Sequence, residues 1–545
     1  MRSQFGCCLV MLSFLLWPQS LRADEPHRCG TMRLRELVDV PVKPYDGALK
    51  GNGVMPTIGQ TQGLWTYDLS VMPPRNVELP STCRAVGQGV AVWVADNVWA
   101  SEVTQADVDR IVAALETQTP AHPEQGIVGN NEALFGAPPA YTEGDPVLSV
   151  FVYRIASYQQ YQFDGLFRRE DLAPFNPACR NSSSTYCSNE LAMVHVNARN
   201  VGSEYMLGVI AHEFSHLAQF GADATEEIWL EESFAELAMV YSGYDDAGNV
   251  QSFADDPSQS LVSDAPVSYG AGLLFGSYLH ERLGSEGVRA IVDDPLDGIA
   301  SLLPRIGGEF APFFGDWGVA MALDEPSLED GRYGFESYDV PSLAAGQLSE
   351  PGERVVTVQP TSTALRTLFW KIPDGQTVQL RFVTESEALR AHVFARTPAQ
   401  VLALHNGEPL ELPPVMAAQR LTVVLSNADP EAAQAVTLTA ELVPSTQVVE
   451  EEPERVEEAL LDEPLPDEAP EDEAKADKAP VDEPVVEPFE PPDSAELDDD
   501  LAAQPQPSGD EGGCGCALHR IPVGQGSVVS LILLGLLFFQ WRRRV

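Results

Sequence analysis

The apolar residues of this chain follow strand spacing in some stretches and helix spacing in others. The runs GVAVWVADNVW, PVLSVFVYRI and NELAMVHVNA, all between residues 89 and 198, have the length and the β-branched content of strands. The segment VTQADVDRIVAALETQ instead places Val108, Ile111 and Leu115 on one side of a helix. The pattern therefore predicts a sheet that packs against helices.

A mainly helical stretch follows. Residues 204–220 predict one helix, and EEIWLEESFAELAMVYSGY predicts a second helix after a short connection. The segments YGAGLLFGSYLHERLG, GIASLLPRIG and FAPFFGDWGVAMALD are also apolar at helical spacing, and Gly and Pro interrupt them. From about residue 350 to 444 the pattern changes to short alternating runs such as TVQLRFVT and RLTVVLS. These runs predict a small β-sandwich, in which no catalytic constellation is visible.

The two ends of the chain carry different signals. Near the N-terminus, Arg2 precedes the apolar residues 7–17 and a small-residue site that ends at Ala23, which is typical of a removable secretory signal. The alternative is a buried first helix. Near the C-terminus, residues 527–541 are almost wholly apolar and an arginine cluster follows them. This predicts a short hydrophobic helix whose basic end stays in the cytoplasm.

Nearly half of the net charge of −48 lies in one segment of the chain. From Glu450 to Glu511 there are 25 acidic residues, three basic residues and eleven prolines. Such a segment buries too little apolar surface to offset the entropy cost of ordering, so it predicts an extended, disordered stalk. The alternative is an acidic binding tail. The acidity argues against nucleic acid as a partner.

Four cysteines remain between the two ends: Cys29, Cys83, Cys179 and Cys187. An exported compartment favours disulfides over metal ligation, and no CxxC pair is present among the four. Four cysteines allow three connectivities. We favour Cys179 with Cys187, which closes the loop CRNSSSTYC, and Cys29 with Cys83.

The stretch VIAHEFSHLAQF contains the candidate chemistry. On a helix, residues four apart share a face, so His212 and His216 can present their imidazoles to one ion. Zinc suits imidazole nitrogen, and a catalytic zinc site takes three protein ligands and leaves one position for water. Glu213 lies beside the pair, where it can accept a proton from that water and pass it to the leaving amine. The uncharged surroundings favour a buried helix under a cleft over a pair of surface histidines.

A third ligand is needed, and the next helix offers Glu231, Glu232 and Glu236 within the segment WLEESFAE. Here the chain resembles the gluzincin metallopeptidases, in which HExxH is followed by a glutamate ligand in a segment like W-L-N-E-G-F-A. Alignment of the flanking Trp-Leu and Phe-Ala implies that Glu232 is that ligand. The chain departs from the pattern at Glu231 and Ser233, where the family has Asn and Gly.

Two assignments of the third ligand stay open. Glu236 follows His216 by 20 positions (236 − 216), which is thermolysin-like spacing, whereas Glu232 follows it by 16 (232 − 216). We favour Glu232, because the flanking residues fix the helical phase while the preceding loop can vary. Glu236, one turn later on the same face, then orients a ligand histidine through a hydrogen bond. In the alternative assignment, Glu236 is itself the third ligand. Glu231 is expected to point elsewhere, as a solvated charge.

The resemblance extends to the segment APVSYGAGLLFGSYLHERLG. Tyr269 matches the gluzincin tyrosine that donates a hydrogen bond to the oxyanion, which implies a catalytic role beside Glu213. The alternative is an aromatic residue that caps a helix in the core. The run NELAMVHVNA stands where zincins place the cleft-edge strand that pairs with an extended substrate. Its His195 is interpreted as an ordinary strand histidine.

The last 34 or so residues resemble the MYXO-CTERM class of bacterial surface-sorting signals. A Gly-Cys motif at Cys514 and Cys516, a short hydrophobic helix and basic residues occur in that order. The resemblance implies processing near these cysteines and retention at the cell surface, and a permanent single-pass anchor would give nearly the same location. The chain is therefore expected to be exported and anchored at the bacterial envelope membrane.

Together these patterns predict a surface-tethered, zinc-dependent peptidase that acts on a protein or peptide. One alternative is a non-catalytic metal-binding adhesion or scaffold protein on a zincin framework, which the altered EES segment favours. Another is a zinc amidase that acts on cell-wall peptide. The predicted fold is α+β, with a mixed-sheet and a helical subdomain before the β-sandwich. The predicted boundaries are 1–23 for the signal peptide, 24–345 for the zincin-like domain, 350–447 for the β-sandwich, 448–511 for the stalk and 512–545 for the anchor.

Overall fold

The structure is a computed structural model, and it describes residues 29–35, 54–139, 147–158, 161–181, 186–245, 247–263 and 268–446. These residues all belong to one compact unit with a mixed α/β architecture. The predicted signal peptide, acidic stalk and C-terminal hydrophobic helix lie outside the described residues. Within the described ranges, no helix has the length and apolar content needed to cross a membrane.

Ten α-helices occur in the part of the chain that the structure describes. They are α1 (Thr31–Arg35), α2 (Gln105–Glu116), α3 (Ile127–Phe135), α4 (Glu204–Ala222), α5 (Ile228–Tyr241), α6 (Ala247–Asp255), α7 (Tyr269–Val292), α8 (Ile299–Leu302), α9 (Phe310–Leu323) and α10 (Pro414–Ala417). Two 3-10 helices, Arg169–Leu172 and Pro177–Asn181, join strands of the first sheet.

Fifteen strands occur in the same ranges. They are β1 (Thr61–Asp68), β2 (Arg75–Val86), β3 (Val90–Ala95), β4 (Leu148–Tyr153), β5 (Gly165–Phe167), β6 (Met193–Asn197), β7 (Gly346–Leu348), β8 (Gly352–Val358), β9 (Ser362–Leu368), β10 (Gln376–Val383), β11 (Leu389–Arg396), β12 (Ala399–Leu404), β13 (Leu410–Glu411), β14 (Thr422–Asn427) and β15 (Gln434–Pro444).

The first six strands form one mixed sheet in the order β1-β2-β3-β4-β6-β5. Strands β3, β4 and β6 are parallel, whereas β1 and β2 at one end and β5 at the other pair in antiparallel fashion. The expectation that NELAMVHVNA forms the edge strand is therefore wrong. That run is β6, which is fully buried because it pairs with β4 on one side and with β5 on the other. The edge is the three-residue strand β5.

Helix α4 confirms the helix predicted over residues 204–220. It begins after Ser203, whose side chain accepts a hydrogen bond from the backbone N–H of Met206. All of its residues from Met206 to Gln219 are buried. Strand β5 approaches α4 closely, because a Cβ on Gly165 would lie 2.6 Å from the Cγ atom of Glu213. A glycine at this position therefore brings the sheet edge into contact with the HExxH helix.

The second predicted helix is α5, and it packs between α4 and α7. A Cβ on Gly276 of α7 would lie 2.4 Å from the carbonyl oxygen of Ser233 in α5, so the two backbones touch. The Ser233 hydroxyl donates a hydrogen bond to the carbonyl of Trp229 one turn earlier. The small residues of α7 thus make room for Ser233.

The remaining strands form two antiparallel-rich sheets, β13-β10-β15-β8 and β12-β11-β14-β9-β7. Buried residues of both sheets share one core, which includes Val356, Val378, Val393, Val423 and Leu438. The strands predicted from TVQLRFVT and RLTVVLS are confirmed as β10 and β14. Helix α9 joins this part to the helices, because Val319 and Leu323 cluster with Leu365 and Phe394 of the second sheet.

Candidate metal centre

The HExxH helix and the helix after it bring three predicted ligands to one point. The Nε2 atoms of His212 and His216 are 3.3 Å apart, and Glu232 Oε2 lies 3.2 Å from His212 Nε2 and 3.9 Å from His216 Nε2. Ligand atoms of these three residues and of Cys29 all lie within 4.8 Å of one another. These four side chains, hereafter the metal group, are buried and could hold a metal ion.

The separations fit a small, four-coordinate ion. Donors about 2.0–2.1 Å from a tetrahedral zinc ion lie about 3.3–3.4 Å from one another. The two histidine nitrogens and the Glu232 oxygen are close to that spacing. Imidazole, carboxylate and thiolate are also the ligand types that zinc accepts.

A second observation points to a cation at this position. Both carboxylate oxygens of Glu232 are buried and lack a well-formed hydrogen bond among the described residues, where the ion-pair partners of Glu232 are His212 and His216. A buried carboxylate without a partner costs roughly 1–3 kcal/mol or more, and a bound cation would remove that cost. Burial alone would lower the pKa of His212, but the carboxylates of Glu232 and Glu236 raise it to about 10. The site therefore attracts positive charge, which a metal ion would supply.

Two further glutamates hold the rear of the histidine rings. Glu236 Oε1 lies 3.2 Å from His212 Nδ1, and Glu231 Oε1 lies 3.2 Å from His216 Nδ1. Carboxylates at these nitrogens fix the orientation of ligand histidines and strengthen them as ligands. Glu232 thus faces the Nε2 atoms, whereas Glu236 contacts the opposite nitrogen of His212.

The expectation that Glu231 is a solvated charge is wrong. Its side chain is buried between His216 and Arg35, whose guanidinium donates a 3.0 Å hydrogen bond to it. The sequence of α5 carries a signal for this burial, because IWLEESFAELAMVY has almost no polar residues besides its glutamates. A glutamate on such a helix has no solvated face to occupy.

Glu213 lies on the other side of the group. Its Oε2 atom accepts a 2.8 Å hydrogen bond from the hydroxyl of Thr31 and lies 3.7 Å from Cys29 Sγ. Its Oε1 atom is buried without a hydrogen-bond donor among the described residues. Burial raises the pKa of Glu213 above its ordinary value, although the two histidines oppose the change. A raised pKa suits a group that accepts a proton near neutral pH.

The prediction that Cys29 pairs with Cys83 is wrong. Both cysteines are free and buried, and Cys29 Sγ lies 3.4 Å from His216 Nε2. Cys83 lies in β2, where its thiol contacts the carbonyl of Ala85. Sequence reasoning missed Cys29 at the metal group because no local spacing links it to a helix more than 180 residues away. The other predicted disulfide, Cys179–Cys187, is confirmed.

Tyr269 begins α7 beside the metal group. Its ring centroid lies 6.3 Å from that of His212. Burial first, and the carboxylate of Glu232 second, raise the pKa of the Tyr269 hydroxyl well above its ordinary value. The hydroxyl therefore keeps its proton at neutral pH and remains a hydrogen-bond donor.

His195 lies outside the metal group. Its Nε2 atom is 2.7 Å from Asp171 Oδ2, and Arg168 lies 3.4 Å from the other oxygen of the same carboxylate. All three side chains are buried, His195 on β6 and the other two in or next to the 3-10 helix Arg169–Leu172. The carboxylate beside His195 is therefore already paired with an arginine, whereas the ion-pair partners of Glu232 among the described residues are histidines.

Comparisons with known proteins leave the family open. No protein-family profile matches the chain, and no curated protein matches it. A mutant of PliG from Escherichia coli, a periplasmic inhibitor of g-type lysozyme, shares 8% identity over 18% of this chain and 100% of its own, with a TM-score of 0.14. PliG of Aeromonas hydrophila shares 16% identity over 18% of this chain and 96% of its own, with a TM-score of 0.15. A family GH115 4-O-methyl-α-glucuronidase shares 9% identity over 54% of this chain and 51% of its own, with a TM-score of 0.13. At such TM-scores these likenesses do not bear on fold or function.

Proposed function

We propose that this chain is a zinc-dependent metallopeptidase whose catalytic part, the sheet β1–β6 with α4 and α5, is zincin-like. The observation that carries the proposal is the convergence of His212, His216 and Glu232 on one buried point, with Glu213 beside it. The buried Glu232 carboxylate, which lacks a well-formed hydrogen bond among the described residues, supports a cation at that point. The carboxylates behind both histidines support a site built for a metal rather than a chance cluster.

Each residue has a defined role in this proposal. His212, His216 and Glu232 would hold the ion, and Glu231 and Glu236 would orient the two histidines. Bound zinc would supply Lewis-acid activation of a water molecule and of the scissile carbonyl. Glu213 accepts the proton of the attacking water and passes it to the leaving amine. Tyr269 donates a hydrogen bond to the carbonyl oxygen as negative charge develops on it.

The proposal includes export and anchoring at the bacterial cell surface. The Cys179–Cys187 disulfide supports an oxidising compartment. The signal-like N-terminus and the sorting-signal-like C-terminus support the same location. The substrate is then a protein or peptide that is accessible outside the cytoplasm.

The substitution Glu213→Gln in the full chain tests the mechanism. Because Gln keeps the shape but cannot accept the proton, hydrolysis of unfolded casein should fall by about 10²–10⁴-fold. Zinc content should stay at the parental value, because Glu213 is not a proposed ligand. Glu226→Gln is the matched control, since Glu226 is another buried glutamate, held by the backbone N–H groups of Glu227 and Gly298. Where the parent hydrolyses casein, equal activity of the Glu213 variant would exclude the mechanism.

One observation favours a second candidate function. Cys29 adds a fourth protein donor to the group, and zinc sites with four protein ligands are typically structural. A non-catalytic metal-binding adhesion or scaffold protein would retain zinc and hydrolyse nothing, whether position 29 holds cysteine or serine.

The amidase alternative is tested by adding cell-wall peptide as a second substrate to the same assay. A zinc amidase should hydrolyse the cell-wall peptide and leave casein intact.

A further inference from the structure

The N-terminal segment 29–35 lies along the edge of the first sheet at the metal group. Cys29 forms a parallel bridge with Gly165, the first residue of β5, and the Gly30 N–H donates a 2.8 Å hydrogen bond to the Gly165 carbonyl. The hydroxyl of Thr31 accepts a 2.8 Å hydrogen bond from the N–H of Phe167, the last residue of β5. The segment thus takes hydrogen-bonding positions on the buried edge strand β5, where an extended peptide would otherwise add.

The same segment carries a ligand to the metal group. Cys29 Sγ is buried, and its 3.4 Å distance to His216 Nε2 is close to the separation of about 3.5 Å expected for sulfur and nitrogen on one tetrahedral zinc ion. The donor set with Cys29 is one thiol, two imidazoles and one carboxylate. Four protein ligands fill a tetrahedral ion and leave no position for water.

Two other residues of the segment contact the proposed machinery. Thr31 donates a hydrogen bond to Glu213 Oε2, so the proposed general base is engaged by the segment rather than by water. Arg35 binds Glu231, which lies behind His216, and also donates to the carbonyl of Ala224. One short stretch thus contacts the metal group, the base and the support of a ligand histidine.

We propose that the segment 29–35 holds the enzyme latent, with the Cys29 thiolate as a fourth zinc ligand and Thr31 as a blocking partner of Glu213. This inference rests on the proposed function. On binding the ion, the thiol releases its proton to solvent, and when the segment leaves, the sulfur takes up a proton again. Hydrolysis then requires the segment to be displaced or removed, because water and substrate need the position and the strand edge that it occupies.

Cobalt(II) substitution in the full-length chain tests the ligand role without any change of sequence. A thiolate bound to cobalt(II) gives an intense sulfur-to-metal charge-transfer absorption in the near ultraviolet, whereas histidine and carboxylate ligands do not. The parent protein should show this band, and Cys29→Ser should lose it while it still binds one metal ion through the other three ligands. Cys83→Ser is the matched control, because Cys83 is also buried and free but lies in β2. It should keep the band.

Hydrolysis of unfolded casein by the zinc-loaded proteins tests the latency. Cys29→Ser should hydrolyse casein faster than the parent, and Glu213→Gln in the same chain should abolish that gain. Thr31→Val added to Cys29→Ser should raise the rate further, because it frees Glu213 once the fourth position of the ion is open to water. A parent without the charge-transfer band, or a Cys29→Ser variant that is no faster than an active parent, would overturn the latency and leave the peptidase standing. A band in the parent with no hydrolysis by any variant would instead overturn the peptidase, and with it the latency.

Discussion

Two buried histidines in different parts of the molecule have opposite electrostatic surroundings. His212 in α4 has a carboxylate near each ring nitrogen, and these carboxylates raise its pKa to about 10 despite burial. His392 in β11 is also buried, but burial first and Arg390 second lower its pKa to about 4. Burial by itself drives an imidazole toward its neutral form, so the surrounding acceptors decide whether a histidine site attracts a cation.

His195 makes the distinction sharper because it does have a carboxylate neighbour. Asp171 lies 2.7 Å away, yet burial still lowers the pKa of His195. The buried Arg168 beside Asp171 already compensates that carboxylate. Among the described residues, no arginine compensates Glu232, and its ion-pair partners are the two histidines of the group. The candidate metal centre thus differs from the His195–Asp171 pair by an excess of buried carboxylates, from Glu213, Glu231, Glu232 and Glu236, over buried arginines.

The largest expected effect on zinc binding comes from removal of the Glu232 carboxylate. Glu232→Ala should lower zinc affinity by more than about 100-fold, beyond the range for residues that only support a ligand, because it takes away the carboxylate that faces both Nε2 atoms. Glu236→Ala should reduce affinity only about 10–100-fold, because Glu236 contacts the rear nitrogen of His212. Metal content of the purified full chains, followed by titration with a competing chelator, measures both.

The two variants decide between the assignments that the sequence leaves open. If Glu236→Ala loses more metal than Glu232→Ala, the ligand role passes to Glu236 and the contrast with His195 fails. The control is Glu170→Gln, which changes a buried carboxylate beside Arg168 in the 3-10 helix Arg169–Leu172. Metal binding by that variant should match the parent.

A smaller effect is expected at the second histidine of the centre. Glu231→Gln removes the charge behind His216 and the ion pair with Arg35. Zinc affinity should fall about 10-fold, toward the lower end of the range for residues that support a ligand histidine. Glu227→Gln, four positions earlier and at the start of the same helix, should leave the affinity unchanged. Equal affinities of the Glu231 variant and the parent would mean that Glu231 holds Arg35 and does not support the ligand.

The parts of the site that could be predicted from sequence are those fixed by local spacing. The i, i+4 rule places His212 and His216 on one face, and α4 begins at the predicted Glu204. Helical phase also favours Glu232, which faces the Nε2 atoms of both histidines in the structure. These relations need only the geometry of one or two helices.

The rest depends on contacts between distant parts of the chain. Cys29 reaches His216 because it pairs with β5, and a three-residue edge strand has no periodicity that a sequence pattern reveals. The order of β5 and β6 in the sheet is likewise set by packing against α4, where only glycine fits at position 165. The count of cysteines favours Cys83 as the partner of Cys29. In the structure, however, the Cys29 thiol lies beside His212, His216 and Glu232.

The smallest predicted effect is on the pH dependence of stability, and it concerns His392, the buried histidine that was compared with His212. Its pKa of about 4 in the folded protein lies below the ordinary 6.5, so the unfolded chain binds more protons between these values. Stability should therefore be lost as the pH falls through this window, by about 2 kcal/mol between pH 7 and pH 5 from this residue alone. His392→Gln should lose correspondingly less stability than the parent when urea unfolding is compared at the two pH values. The metal centre titrates in both chains and shares no residue with His392, so its contribution cancels in the difference. Parallel losses in parent and variant would show that His392 can be charged in the folded state, and burial without a neighbouring carboxylate would then not keep a histidine neutral.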